Sequence, residues 1–283
     1  IAILSDIVLL NSQNFSAYLC GEFFLGAAAG VYWPSAELAV PLNCNRQINS
    51  SEGYSLARSA DAIGVTLGVL LGTIGSHFEF TRIIYLINSL CMLFILNFLL
   101  NKKDIFKIKK DLNTIDDIGI RNKSLGKKYD LRWILKLFPL FLITLFVTGV
   151  MSLLQSILPL DLANGGLIRP PISEQKVATL VTIKLILLAI LQWPVGYILR
   201  YKDSSYKFRL CLISLLLGFV FLSISNLLNN GYLLIIIAFI PLTISLCIFL
   251  PSASDAIIRS SPNKYKGTAM ALYSQCFGFS SLV

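Results

Sequence analysis

A series of long, nearly uncharged apolar runs limits what this chain can fold into. A helix rises 1.5 Å per residue, so crossing a hydrocarbon core of roughly 30 Å takes about 20 residues. Runs on that scale occur at 14–38, 54–76, 80–100, 133–158, 174–199, 208–228 and 232–257, with shorter ones at 1–11 and 267–283. Of the 283 residues, 55% are apolar and only 14% charged, whereas a soluble domain carries about 25% charge. Most runs contain Gly, Pro or β-branched residues, which membrane helices tolerate better than soluble ones do. The expected fold is therefore all-α and polytopic, with seven full spans and two partial ones.

The loop charges orient these spans. Residues 101–132 hold ten Lys or Arg against five acids, and further bases fall at Arg46, at Arg200, Lys202, Lys207 and Arg209, and at Arg259, Lys264 and Lys266. The alternate connections carry only Arg82, Arg169 and Lys176, and 226–232 has no charge at all. Positive loops stay in the cytoplasm, and with this count of spans every basic loop falls on one side. The net charge of +9 then reports topology and contact with anionic lipid, so no nucleic-acid partner is expected. The division that follows is an N-terminal helical bundle at 1–100, a basic cytoplasmic linker at 101–131 and a C-terminal bundle at 132–283. Five of the six cysteines lie in apolar runs, and no CxxC pair occurs. Neither disulfides nor a metal site nor any cofactor is expected.

An internal repeat sets the architecture. Trp33-Pro34-Ser35-Ala36-Glu37-Leu38-Ala39 parallels Leu250-Pro251-Ser252-Ala253-Ser254-Asp255-Ala256. Each copy closes a span and precedes a short basic loop. The next span then opens with Gly53 and Gly64 in one copy and Gly267 and Gly278 in the other. An even number of spans between the copies makes the repeat parallel. Pro251 lies about 120 residues into the second bundle, and the same length applied to Pro34 implies roughly 85 residues upstream of Ile1 and some 30 beyond Val283. The chain is thus expected to be a fragment of two pseudo-symmetric six-helix bundles, truncated at both ends.

With that layout, the long basic middle loop, the glycine run from Gly64 and the Lys266-Gly267 opening of the last run, the chain resembles the major facilitator superfamily from about its third to its eleventh helix. The resemblance implies a secondary transporter that moves a small solute by alternating access. The expected protein is a monomer embedded in the bilayer, in the plasma (inner) membrane if bacterial, and Glu22 makes the proton a candidate coupling ion. In that family the fourth, seventh and tenth helices line a central cavity, and here they carry Tyr18, Glu22, Tyr32, Thr144, Thr148, Gln155, Thr243 and Ser245. The second, fifth, eighth and eleventh form the seam between bundles. Three departures stand out: Val69 follows Gly68 where the antiporter type has proline, Glu22 stands where an arginine is common four residues before a glycine, and Gly196 is followed by Arg200 with Asp203 only later. The first of these speaks against the antiporter direction, and the third against the loop's usual carboxylate contact.

The candidate residues each have two readings. Glu22 sits deep in its span among Cys20, Phe23, Phe24 and Leu25, where a carboxyl must be neutral, paired or in a wet cavity; it is either a proton carrier or a structural acid. Lys184 lies about ten residues into its span, too deep to snorkel easily, and binds an anionic substrate or pairs with an acid. Arg58 and Asp61, three apart, can pair on one helix face as a structural or gating contact. Gly64, Gly68 and Gly72 form a small-residue stripe suited to close helix packing. Gly196 and Arg200 belong to the gating and seam set. Gln155, Thr148 and Gln192 face a cavity or satisfy kinked backbone, and His77 is expected in a solvated loop. No Walker sequence, nucleophile elbow or HExxH occurs. The alternative to transport is a multipass membrane enzyme or assembly factor.

Overall fold

The computed structural model describes residues 1–44, 50–77, 82–101 and 132–280, and within 73–77 the backbone alone. The expected linker beyond Asn101, Arg46 and the side chain of His77 lie outside the described residues. The described residues form α1 (Ala2–Asn11), α2 (Phe15–Asn43), α3 (Ser50–His77), α4 (Ile83–Asn101), α5 (Arg132–Asn164), α6 (Glu174–Leu199), α7 (Ser204–Asn226), α8 (Tyr232–Ser260) and α9 (Lys266–Ser280). A 3-10 turn at Asn263–Tyr265 precedes α9. Seven of these helices, α2 to α8, are long and apolar enough to cross a membrane; α1 and α9, at 10 and 15 residues, are shorter. No strand occurs among the described residues. The chain is an all-α polytopic membrane protein.

Long helices persist here despite seven interior prolines: Pro34 and Pro41 in α2, Pro139 and Pro159 in α5, Pro194 in α6, Pro241 and Pro251 in α8. Each lacks the N–H that would reach the carbonyl four residues back. In hydrocarbon such a carbonyl needs another donor. Pro251 frees the carbonyl of Cys247, and the buried Gln192 of α6 donates its Nε2 to that oxygen at 3.2 Å. Pro41 frees the carbonyl of Glu37, and the buried Tyr54 of α3 donates its hydroxyl there at 3.0 Å. Of the two readings open for Gln192, the structure supports the backbone one.

The helices pack as two units whose boundaries cut through α2, α3 and the first turn of α5. The first comprises 1–29 and 72–134. In it Ser5 donates to the carbonyl of Gly21 at 2.5 Å, and Gly21 leaves room for Leu9 where a Cβ would collide. Asn88 of α4 donates to both carboxylate oxygens of the buried Asp6, at 3.0 and 2.9 Å.

The second unit comprises 30–71 and 135–283. Its centre is α8, buried along much of its length from Ile235 to Ile258. On α6 the residues Val177, Leu180, Gln192, Gly196 and Leu199 are buried, with Gln192 bonded to α8, and α7 brings Gly218 onto Leu242. At the far end from the α3 start, the connection from α5 to α6 folds back on α7. Arg169 donates to the Asp161 carboxylate at 2.8 Å, and the amides of Ile168 and Arg169 donate to the Asn226 carbonyl. Gly165 takes φ +89 to make that turn, a conformation open to glycine.

Gln192→Leu is expected to destabilise the protein by about 1–3 kcal/mol, the penalty for a buried acceptor left without a donor. It should not recover from Pro251→Ala by chance packing alone: that change returns an N–H to the Cys247 carbonyl, so the two penalties should be strongly non-additive. Unfolding in detergent, taken around the double-mutant cycle, measures the coupling; strict additivity would refute the pairing.

Candidate functional site

One end of the second unit gathers the polar groups. The start of α3, the end of α6 with the first turns of α7, and the end of α8 meet there. Serines open α3, and Glu52 in its first turn suits the positive end of the helix dipole, as Arg259 in the last turn of α8 suits the negative end. The Ser50 hydroxyl donates to Asp255, which also accepts from Arg259 Nε at 2.9 Å. Arg259 Nη2 reaches Ser50 Oγ at 3.3 Å. Lys207 of α7 donates to Ser51 Oγ at 2.7 Å. Arg200, stacked 4.0 Å over the Tyr197 ring, reaches Glu52 at 3.4 Å.

Deeper in, the character of the contacts changes. Arg58 of α3 pairs with Glu37 of α2, and the side chains are only 12% and 6% exposed. Arg58 also reaches Asp61 at 3.5 Å and lies 5.7 Å from the centre of the Trp33 ring. Tyr273 of α9 and Ser254 of α8, both buried, border the pair. Glu37 is therefore held twice, by Tyr54 at its carbonyl and by Arg58 at its carboxylate. Beside this cluster a Cβ on Gly196 would overlap Ser55, so α3 and α6 approach almost backbone to backbone. A buried charge pair of this kind is close to neutral when made and strongly destabilising when halved. The Arg200–Glu52 contact, with both partners 23% exposed, contributes at most about 1 kcal/mol.

The other sequence candidates are scattered. Glu22 and Tyr18 belong to the first unit, beside Tyr85 of α4. Tyr32 is exposed and packs edge-on against Trp33 at 5.5 Å. Thr148 is buried but donates to its own helix, to the Thr144 carbonyl at 2.7 Å, and Gln155 is exposed. Lys184 is half-buried and, among the described residues, has no hydrogen-bond or ion-pair partner. The glycine stripe packs differently from expectation: a Cβ at Gly64 or Gly68 would meet nothing within 4 Å, and one at Gly72 would make ordinary contact with Ile84 at 3.5 Å. Close approach occurs instead at Gly196.

The residues missed were Glu37, Ser50, Ser51, Glu52, Tyr54, Lys207 and Asp255, together with Asp6 and Asn88 in the first unit. Glu37 and Asp255 had one available signal, since each is the acid of its copy of the repeat.

Seven span-capable helices and a charged cluster where four helix ends meet agree with what comparison finds. The family model of the Major Facilitator Superfamily matches residues 1–283, the whole chain. No curated protein matches it. The chain belongs to the major facilitator superfamily, and is thereby a secondary transporter of small molecules, integral to the membrane.

Arg58→Leu is expected to destabilise the protein by about 3–5 kcal/mol by stranding Glu37 in the interior. Adding Glu37→Leu should recover most of that loss. Melting of the purified variants in detergent decides the matter; a double variant no better than the single one would mean that the pair is not the source of the loss.

Proposed function

We propose that the chain carries its solute by alternating access, and that the polar cluster at the start of α3 is the latch of one gate. The supporting observation is the set of pairings that ties these helices together: a buried Glu37–Arg58 pair inside and, nearer the helix ends, the buried Lys207–Ser51 contact and the partly exposed Arg200–Glu52 pair. A gate needs closed and open states within a few kcal/mol of each other. Ion pairs provide this, because the desolvation that opposes them on closing is returned when water enters on opening. An apolar seam of the same area would favour the closed state far more strongly. The charge bias of the loops supports a cytoplasmic position for this end, and the membrane is the plasma (inner) membrane if the source is a bacterium. The solute path lies within a single chain, so the working unit is a monomer.

The coupling ion is the proton, with Glu22 as its carrier: a carboxyl eight residues into an apolar helix is tolerated by taking up a proton or a partner.

The latch is tested without knowing the solute. In a chain freed of native cysteines, Ser254→Cys replaces a fully buried residue behind the latch. In liposomes it should react over time with a soluble maleimide. A disulfide between Ser50→Cys and Asp255→Cys should stop that reaction, and reductant should restore it. A cysteine at 254 that never reacts, or that reacts equally with the disulfide closed, removes the latch. For coupling, Glu22→Gln is expected to abolish pH-driven accumulation of the transported solute; accumulation that survives the change excludes Glu22 as carrier.

A further inference from the structure

Lys184 is the eleventh residue of the 26-residue α6, about 15 Å from its start at 1.5 Å per residue, and so close to mid-membrane. It falls on the face that carries Val177, Leu180, Gln192 and Gly196, at the three- and four-residue spacing of one helix stripe. That face is turned into the second unit.

The described acids of this unit are committed elsewhere. Glu37 and Asp61 meet Arg58, Glu52 meets Arg200, Asp161 meets Arg169, and Asp255 meets Ser50 and Arg259. Glu174 opens α6 and Asp203 precedes α7, so each stands about 15 Å or more along the chain direction from Lys184. Among the described residues of this unit no carboxylate is left for its ammonium.

A second group at nearly the same level is also unsatisfied. α6 and α8 run in the same direction, both ending at the start of α3, and the Gln192 to Cys247 hydrogen bond sets their register. Eight residues before Gln192 is Lys184, and eight before Cys247 is Phe239. Thr243, one turn beyond Phe239, is 0% exposed, and its hydroxyl makes no hydrogen bond among the described residues. Neighbouring helices thus hold an unpaired cation and an unpartnered hydroxyl at levels within about a helical turn, and both would be satisfied by one acceptor of negative charge.

We propose that this protein binds a small solute bearing one anionic group, a carboxylate or a phosphate, at Lys184, with Thr243 donating the second contact. A single cation at the site favours a monovalent group over a polyanion. That the bound anion is also carried rests on the transport reading above; the binding itself does not.

The test is melting of the purified chain in nanodiscs with lactate, benzoate and inorganic phosphate, against glucose and choline as neutral and cationic controls. At least one of the three anions should raise the melting temperature saturably, and the controls should not. Lys184→Gln should weaken that binding tenfold or more, Lys184→Arg should keep part of it, and Thr243→Val should weaken it several-fold. Without ligand, Lys184→Met should melt above the parent, because an unpaired charge leaves the interior; a lysine in a structural pair would make it melt lower. No shift with any of the anions, an undiminished shift in Lys184→Gln, or a lower-melting Lys184→Met overturns the proposal. Flux of the same anion into liposomes separates the two readings. Binding that depends on Lys184 without flux ends transport and keeps the site, while flux that survives Lys184→Gln ends the site and keeps transport.

Discussion

Hydrocarbon offers no hydrogen-bond partner, so any polar group carried into the membrane must find one on another part of the chain. That constraint accounts for the most specific contacts in the structure. Pro251 of α8 would leave a bare carbonyl at Cys247 if α6 did not supply Gln192 at that level. The proline near the end of α2 would do the same at Glu37 if α3 did not supply Tyr54. Each of these side chains fixes the height of one helix against its neighbour, which apolar packing alone does weakly. The prolines therefore register the bundle as well as bend it.

The same constraint acts on the charges. Glu37 and Arg58, paired with each other, lie behind aromatic cover. Those with looser partners, such as Arg200 and Glu52, lie where water can reach them. The result is a bundle that is firm through its apolar middle, where α8 is buried, and yielding at one end.

How much of this could be read in the residues depended on the range of the interaction. The spans were legible because apolar runs of membrane length have few other uses. Their ends were less so: α2 continues past residue 38 to Asn43 and α5 past 158 to Asn164. Pro41 and Pro159 look like stops in a linear reading, yet neighbouring helices sustain the backbone beyond them. The Arg58–Asp61 contact was visible because three residues bring two side chains onto one helix face. Its stronger partner Glu37 was not, since a separation of 21 residues says nothing until two helices have packed. The stripe of Gly64, Gly68 and Gly72 read as a packing surface, but periodicity fixes only which face the glycines share, and Gly64 and Gly68 have no neighbour over them. Gly196 offered no periodic signal and proved to be where α3 and α6 touch.

Glu37 and Ser254 occupy the same place in the two copies of the Pro-Ser-Ala repeat, and in the folded chain they border one another. Duplicated segments that meet in this way face a problem that segments kept apart do not. Were the position identical in both halves, two glutamates would crowd a single buried arginine, and one would have to give up its charge. Divergence at such a point is a requirement of the contact itself. A duplicated chain that closes on its own counterpart must become unequal where the halves touch, however alike they remain elsewhere.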